Sequence, residues 1–400
     1  MREEHIDFDT VIDRRNTKSL KYDFALKRGK PENILPLWVA DMDFKVSNKI
    51  TEAIQRQVEH GIFGYSEVKE EYFDALSNWM EKKHNWTVKL EWLVKTPGVV
   101  FALAMAIKAY TSPGDAVMIQ QPVYYPFGEV ITDNDRKIVD NSLILGSDGT
   151  YHIDFEDFER KIMEYKVKLF FLCNPHNPVG RVWKLEELQK LGEICCKHDV
   201  IVVSDEIHSD FVFTGRHQVF ADICKTFSDR TITCTSPSKT FNLAGLQVSN
   251  IFISNATLRR SFRKEIAAAG YSQLNVMGLV ACEAAYRYGE EWYDALMKYL
   301  KANLEFLQTF LVENIPQIKP MNTEGTYLVW LDFRNLGLTE EERENLIVHK
   351  AGLWLDSGAI FGKVGEGFER INIACPRRTL VEALNKLKNA IEQLESPLLI

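Results

Sequence analysis

The sequence predicts an α/β protein whose sheet is mainly parallel and covered by helices on both faces. Short, uninterrupted apolar runs alternate with longer helical patterns through the middle of the chain. Parallel strands buried on both faces give continuous apolar runs of this kind. The 400 residues are 46% hydrophobic, which is enough for a large core and favours two domains over one.

Five apolar runs are candidates for strands of this sheet, and a helical pattern separates two of them. The candidates are residues 116–119, 169–172, 200–203, 232–235 and 248–253. Between the second and third, residues 184–198 place Leu185, Leu188, Leu191, Ile194 and Cys195 on one helical face. That spacing predicts a helix packed against the sheet.

The C-terminal third has a different pattern, which predicts a smaller α+β unit. Its elements are a helix at 292–313, a strand at 326–331, a helix near 340–350, a strand at 370–373 and a helix from about 378. The N-terminal segment lacks periodicity and is expected to pack on this unit. The predicted division is an N-terminal segment at 1–47, a large domain at 48–288 and a small domain at 289–400.

Composition argues against several classes of function. A net charge of −8 without a basic run disfavours a nucleic-acid partner. The chain has no apolar run long enough for a transmembrane helix, and its charged N-terminus lacks the apolar core of a signal peptide. Seven cysteines without Cys-x-x-Cys spacing are best explained as free thiols in a reducing cytoplasm. The nine histidines show no ligand spacing, so no metal site is expected.

Polar residues follow four of the predicted strands. The segments are 121–126 (QPVYYP), 174–180 (NPHNPVG), 205–208 (DEIH) and 236–239 (SPSK). Taken singly, Asn-Pro pairs form turns and an Asp after a strand caps a helix. Ligands of open α/β sheets bind beyond the carboxyl ends of the strands, however, so four such ends in succession predict a site.

Lys239 lies in the most informative of these segments, residues 236–245 (SPSKTFNLAG). A lysine near a strand end is commonly solvated, and this segment alone does not exclude that interpretation. A lysine beside Ser and Gly can also form a Schiff base with a carbonyl. The aldehyde of pyridoxal 5′-phosphate (PLP) is the obvious partner, since this cofactor needs one lysine and nearby donors for its phosphate.

NPHNPVG, SDEIH and SPSKTFNLAG, in this order, resemble the motifs of the fold-type I PLP enzymes, the aspartate aminotransferase superfamily. The resemblance implies a large PLP-binding domain whose seven-stranded, mainly parallel sheet is the centre of an αβα sandwich. It also implies that Lys239 forms the Schiff base and moves the Cα proton. Asp205 would pair with the pyridinium nitrogen, and Asn177 would hydrogen-bond the phenolic oxygen. Tyr124 would stack on the ring.

The resemblance assigns further residues to the cofactor. Gly98, Val99 and Val100 would donate backbone N–H groups to the phosphate at a helix N-terminus. The hydroxyls of Ser236 and Ser238 would join them. His208 occupies a position near the ring where many relatives have tyrosine. Gln247 replaces an arginine that many aminotransferases have eight residues after the lysine, which removes a charge from the phosphate site and argues against an ordinary aminotransferase.

Residues 35–44 (LPLWVADMDF), with Phe8-Asp9 and Arg14-Arg15, resemble the cystathionine β-lyase group that includes cystalysin-like C–S lyases. In that group, residues equivalent to Trp38, Val39 and Ala40 would line the substrate entrance, with Tyr124 beside the substrate. An ordinary core aromatic is the alternative for Trp38. Arg370 would bind the substrate α-carboxylate through its planar fork, whereas Arg377 is expected to cap or solvate the following helix.

The segment 60–65 (HGIFGY) resembles one in which a tyrosine reaches the phosphate of the neighbouring subunit. Tyr65 is therefore expected to cross the interface of an isologous homodimer.

The resemblance leads to three hypotheses for function. The first is a C–S β-lyase, or cysteine-S-conjugate β-lyase, that converts cystathionine, cysteine or S-substituted cysteines into a thiol, pyruvate and ammonia. The second is an amino-acid aminotransferase, which would share every step up to loss of the Cα proton. The third is a lyase-fold protein with an added regulatory role through a protein partner.

Overall fold

The structure is a computed structural model and describes residues 6–395. Within these residues the strands are β1 (Leu35–Pro36), β2 (Leu93–Thr96), β3 (Ala116–Ile119), β4 (Lys137–Asp140), β5 (Ile144–Leu145), β6 (Tyr151–His152), β7 (Leu169–Cys173), β8 (Ile201–Asp205), β9 (Thr231–Thr235), β10 (Ser249–Phe252), β11 (Lys319–Pro320), β12 (Leu328–Asp332), β13 (Leu353–Trp354), β14 (Asp356–Ser357) and β15 (Phe368–Asn372).

The α-helices of the same residues are α1 (Asn48–His60), α2 (Glu70–His84), α3 (Val99–Tyr110), α4 (Pro126–Thr132), α5 (Phe155–Tyr165), α6 (Leu185–Lys197), α7 (Lys225–Ser228), α8 (Pro237–Thr240), α9 (Ala256–Ala268), α10 (Val276–Tyr288), α11 (Glu290–Asn314), α12 (Glu340–Glu344) and α13 (Arg377–Glu395).

A seven-stranded sheet forms the centre of the molecule, in the order β2-β10-β9-β8-β7-β3-β4. Strand β10 runs antiparallel to both of its neighbours, and the other pairs are parallel. The predicted α/β fold with a mainly parallel seven-stranded sheet is therefore confirmed.

The central strands are mostly apolar because their two faces pack into two separate cores. Val117 and Ile119 of β3 join one core with α3, α4 and α9. Met118 of the same strand points into the other core, which contains residues of α5, α6 and α7. Successive side chains of a strand alternate between faces, so burial of both faces removes the polar positions that would mark a one-sided sheet.

The two strands at the edges of this sheet, β2 and β4, were not among the strands predicted from apolar runs. Strand β4 exposes Lys137 and Ile138, and buries Val139. An edge strand needs apolar residues only on its covered part, so its sequence lacks a continuous apolar run.

The C-terminal part forms a second, antiparallel sheet in the order β11-β12-β15-β14. The N-terminal segment joins the C-terminal part through β1, which pairs in parallel with β13 in a separate two-stranded sheet. The predicted helix near 340–350 is α-helical only to Glu344, and residues Asn345–Lys350 continue it as a π-helix. The exact domain boundaries remain a prediction. None of the helices within residues 6–395 combines the length and apolar character needed to span a bilayer.

Candidate active site

A cavity of about 800 Å³ lies beyond the carboxyl ends of the central strands. Fourteen of the predicted site residues line it, and Tyr65 does not. The fourteen are Trp38, Val39, Ala40, Gly98, Val99, Val100, Tyr124, Asn177, Asp205, His208, Ser236, Ser238, Lys239 and Arg370. Residues from distant parts of the sequence thus converge on one cavity, as expected at the strand ends of an open sheet.

Lys239 projects into this cavity from the short helix α8, which directly follows β9. Its Nζ donates a hydrogen bond of 2.8 Å to the carbonyl oxygen of Ala40. Burial lowers the pKa of Lys239 to about 8, and the charge of Arg370 acts in the same direction. A lysine with a lowered pKa supplies the neutral amine needed for Schiff-base formation or proton abstraction near neutral pH.

Asp210 anchors the helix that presents the lysine. The carboxylate accepts hydrogen bonds from the indole of Trp79 at 3.0 Å and the hydroxyl of Thr240 at 2.5 Å. A ring nitrogen of His84 lies 2.9 Å from the same carboxylate. Because Thr240 follows Lys239 directly, this buried network fixes the position of the lysine backbone.

Asp205 ends β8 and faces the same cavity with only 4% of its surface exposed. Among residues 6–395, its carboxylate accepts one hydrogen bond, from the backbone N–H of Ile207 at 3.2 Å. Burial raises the pKa of Asp205 to about 7. A buried carboxylate with so little hydrogen bonding is suited to a cationic ligand group, which would favour its ionised form.

His208 is buried beside the aromatic rings of Phe211 and Tyr327. Burial lowers the pKa of His208 well below its usual value, and the charge of Lys239 adds to the effect. Its ring is therefore neutral at physiological pH. Nδ1 has no hydrogen-bond partner within the described residues, so this atom can serve a ligand or an ordered water.

The candidate phosphate end of the cavity is the N-terminus of α3. Gly98 precedes this helix of 12 residues, and no side chain in the described part of the chain caps its first N–H groups. Those groups are free to bind an anion. Ser236 already donates its hydroxyl proton to the carbonyl of Val248, at 2.7 Å, and accepts from the N–H of Ser238, so Ser238 has the freer hydroxyl.

Arg370 lies in β15 with 3% of its surface exposed. Its Nη1 donates to Oδ1 of Asn177 at 2.9 Å, and its Nη2 donates to the carbonyl oxygen of Trp38 at 2.9 Å. The same Nη2 also donates to a carboxylate oxygen of Asp356. The bond to Arg370 fixes the amide of Asn177 with its Nδ2 available for another acceptor.

The segment 35–44 is held in place through its backbone. Asn242 accepts from the N–H of Met42 and donates to the carbonyls of Met42 and Phe44. Asn372 donates to the carbonyls of Val39 and Asp41, both at 2.7 Å.

Side-chain packing and an ion pair hold the same segment. The ring of Trp38 stacks on Trp354 at 4.4 Å, so Trp38 belongs both to a small aromatic core and to the cavity wall. Arg14, noted in the sequence only as part of a pattern, binds both Asp41 and Asp43. Arg377, expected to cap or solvate the following helix, begins α13 and donates to the side chain of Asn303.

Three further residues contribute to the site and were not predicted from the sequence. Tyr327 donates its hydroxyl to the carbonyl of Ala40, the group that also accepts from Lys239. Asp356 binds Arg370, and Asn242 fixes the segment 35–44. Asn242 belongs to the SPSKTFNLAG motif and could have been singled out there, whereas Tyr327 and Asp356 carry no local signal.

Tyr65 lies on the surface between α1 and α2, with 99% of its surface exposed. Ile62 and Phe63 of the same segment are 68% and 60% exposed. Three large apolar or aromatic side chains exposed in succession are a feature of interaction surfaces.

Comparison with known proteins places the chain in a family. The model for class I and II aminotransferases matches residues 32–387. The chain belongs to the class I and II aminotransferase family. It is 43% identical to cystathionine beta-lyase PatB of Bacillus subtilis, over 96% of this chain and 100% of the relative.

Two solved structures are similar over nearly their whole length. Cystalysin from Treponema denticola, which contains a pyridoxal 5′-phosphate cofactor, has a TM-score of 0.94 and 40% identity, over 97% of this chain and 99% of its own. The PLP-bound C-S lyase from Staphylococcus hominis, in complex with L-cycloserine, has a TM-score of 0.90 and 35% identity, over 97% of this chain and 99% of its own.

Proposed function

We propose that this protein is a PLP-dependent C–S β-lyase that cleaves cystathionine, cysteine or S-substituted cysteines to a thiol, pyruvate and ammonia. The observation that carries the proposal is the convergence of Lys239, Asp205 and Arg370 on one cavity. These supply an amine, a buried carboxylate and a carboxylate-binding fork. The similarity to lyases over nearly the whole chain favours elimination among the reactions that such a site can support.

The residues of the cavity fit PLP. The under-bonded carboxylate of Asp205 matches a protonated pyridine nitrogen, and Lys239 Nζ is a nucleophile with a lowered pKa. The uncapped N-terminus of α3 and the hydroxyl of Ser238 match the phosphate. The ring of Tyr124 matches the face of the cofactor ring. Nδ2 of Asn177 matches the phenolic oxygen of the cofactor. When bound, the cofactor supplies an electron sink for the charge that develops at Cα.

The chain itself orients the substrate and moves the proton. Arg370 binds the α-carboxylate, which orients the Cα–H bond toward Lys239. Nζ of Lys239 takes the Cα proton, and the Cβ–S bond breaks as the thiolate leaves with its electron pair. Trp38, Val39 and Ala40 form the wall on the entrance side and restrict the access of water.

The homodimer is part of the same proposal. The exposed segment around Tyr65 is proposed to meet a second copy of the chain and to place the Tyr65 hydroxyl at the partner's phosphate site. A cytoplasmic location is also proposed, on the basis of seven cysteines that are all free thiols in the structure.

An aminotransferase is the second candidate, since the family includes such enzymes. The same residues would serve both reactions up to the abstraction of the Cα proton. The two reactions differ in their products. A lyase releases pyruvate and thiol from cystathionine without a keto acid, whereas an aminotransferase requires an acceptor such as 2-oxoglutarate.

The test is to incubate purified protein with PLP and L-cystathionine and to measure pyruvate and free thiol. We expect both products in equal amounts without any keto acid, and neither product from Lys239→Ala. Absolute dependence on 2-oxoglutarate would contradict the lyase. Failure of the wild-type protein to develop the visible absorbance of bound PLP would contradict the cofactor itself.

A further inference from the structure

Asp356 is bound to Arg370, the arginine that is proposed to bind the substrate carboxylate. Strands β14 and β15 are antiparallel, and their register places Asp356 directly opposite Arg370. Residues directly opposite on adjacent strands project from the same face, so their side chains meet. Both side chains are buried, with 6% of Asp356 and 3% of Arg370 exposed, and both line the cavity.

The hydrogen bonds of Arg370 leave no complete fork for a second carboxylate. A planar guanidinium can bind a carboxylate bidentately through Nε and Nη2 or through Nη1 and Nη2. Nη2 is already used twice, by Asp356 and by the carbonyl oxygen of Trp38. Nε is buried without a partner within the described residues. Every bidentate mode for a substrate must therefore displace one of the two partners of Nη2.

The surroundings also make displacement of Arg370 itself costly. Phe361 lies against the guanidinium, with 4.8 Å from Cζ to the ring centroid, and Asn177 holds Nη1. The arginine is thus fixed between an aromatic face and an amide, whereas the short side chain of Asp356 enters from the neighbouring strand.

We propose that Asp356 is an internal competitor for the substrate carboxylate. Its carboxylate balances the positive charge of the buried Arg370 before binding, and its negative charge lowers the affinity of the site for any carboxylate that takes its place. The inference concerns the amino-acid site of the proposed function. It is tested by binding without turnover, so that failure of the lyase reaction and failure of this inference are distinguishable.

The experiment measures binding of 3-(methylthio)propanoate, which has the carboxylate and thioether of S-methylcysteine but no amino group to react. Calorimetry measures the Kd of the probe for the PLP-loaded wild-type protein and for PLP-loaded Asp356→Asn. This substitution keeps an oxygen acceptor for Nη2 and removes the charge. We expect Asp356→Asn to bind the probe at least about tenfold more tightly, because repulsion between two neighbouring carboxylates is lost.

Glu369 provides a matched control. It is the residue next to Arg370, is equally buried and pairs with another arginine, Arg343, but it does not line the cavity. Glu369→Gln should leave the affinity for the probe unchanged. The amide 3-(methylthio)propanamide should not distinguish wild type from Asp356→Asn, because it carries no charge for Asp356 to repel.

Weaker or unchanged binding of the carboxylate by Asp356→Asn would overturn the proposal and would make Asp356 only a support for Arg370. If Asp356→Asn fails to fold, Asp356→Ser is measured instead with the same expectation. In steady-state kinetics, Asp356→Asn should lower KM more than it changes kcat. If the substitution only loosened the support of Arg370, it would lower kcat and raise KM.

Discussion

Replacement of Asn242 by glycine tests how the lysine segment is joined to residues 35–44. The Asn242 side chain makes three hydrogen bonds, at 2.9, 2.9 and 3.2 Å, to the backbone of Met42 and Phe44. Asn242 has a φ of +56°, a region in which alanine would be strained and glycine is not. Asn242→Gly therefore removes the hydrogen bonds without adding backbone strain.

The expected loss follows from those bonds. A net contribution of about 1 kcal/mol for each gives a loss of about 3 kcal/mol in the free energy of unfolding. The segment also positions two carbonyls of the site, that of Ala40 for Lys239 and that of Trp38 for Arg370. A displaced segment should therefore also lower kcat/KM for cystathionine by about tenfold to a hundredfold.

Asn85→Gly is the matched control. Asn85 directly follows the last residue of α2, has a φ of +54°, is exposed and makes no side-chain hydrogen bond within the described residues. The same substitution in the same backbone region should change stability by no more than about 0.5 kcal/mol. Urea unfolding and steady-state kinetics measure both variants. If Asn242→Gly unfolds within about 0.5 kcal/mol of Asn85→Gly, the side chain does not anchor the segment.

Three further predictions concern Lys239, Gln247 and Tyr65. Because burial lowers the pKa of Lys239 from 10.5 to about 8, the unfolded chain binds more protons between these pH values. The stability of the cofactor-free protein should therefore rise with pH across that interval relative to Lys239→Met, and a pH-independent difference in urea titrations would count against it. Gln247→Arg restores a cation at the proposed phosphate site and should lower the Kd of PLP by about tenfold; equilibrium dialysis that shows no gain would place Gln247 outside that site. Tyr65→Phe keeps the ring and removes only a hydroxyl, so it should change the free energy of unfolding by no more than about 0.5 kcal/mol, yet raise the Kd of PLP several-fold at the partner's phosphate site. Unchanged affinity would argue against Tyr65 as a phosphate ligand.

The sequence predicted the central strands well because burial on both faces left a strong signal. The run at 116–119 coincides with β3, and those at 169–172 and 232–235 differ from β7 and β9 by one residue at one end. The helix at 184–198 is α6, which begins at Leu185 and ends at Lys197. The edge strand β4 lacked that signal because solvent covers Lys137 and Ile138.

The candidate site was predictable where its residues share a local motif. Asp205 and Lys239 each follow a buried strand, and both were found from that position. Asp356 and Tyr327 were not, because their roles depend on contacts with residues far away in the sequence, Arg370 for Asp356 and Ala40 for Tyr327. Asp356 meets Arg370 only through the register of β14 and β15, which no local pattern specifies.

Residues 38–41 serve the site mainly through backbone carbonyls. The carbonyl of Trp38 binds Arg370, and that of Ala40 accepts from both Lys239 and Tyr327. Asn372 occupies the carbonyls of Val39 and Asp41. Three of these four carbonyls thus accept from side chains of β15, and that of Ala40 accepts from Lys239 of α8, so the segment links the lysine to the strand that carries Arg370. A shift of the segment would therefore disturb Lys239 and Arg370 together, because the same stretch of backbone accepts hydrogen bonds from both.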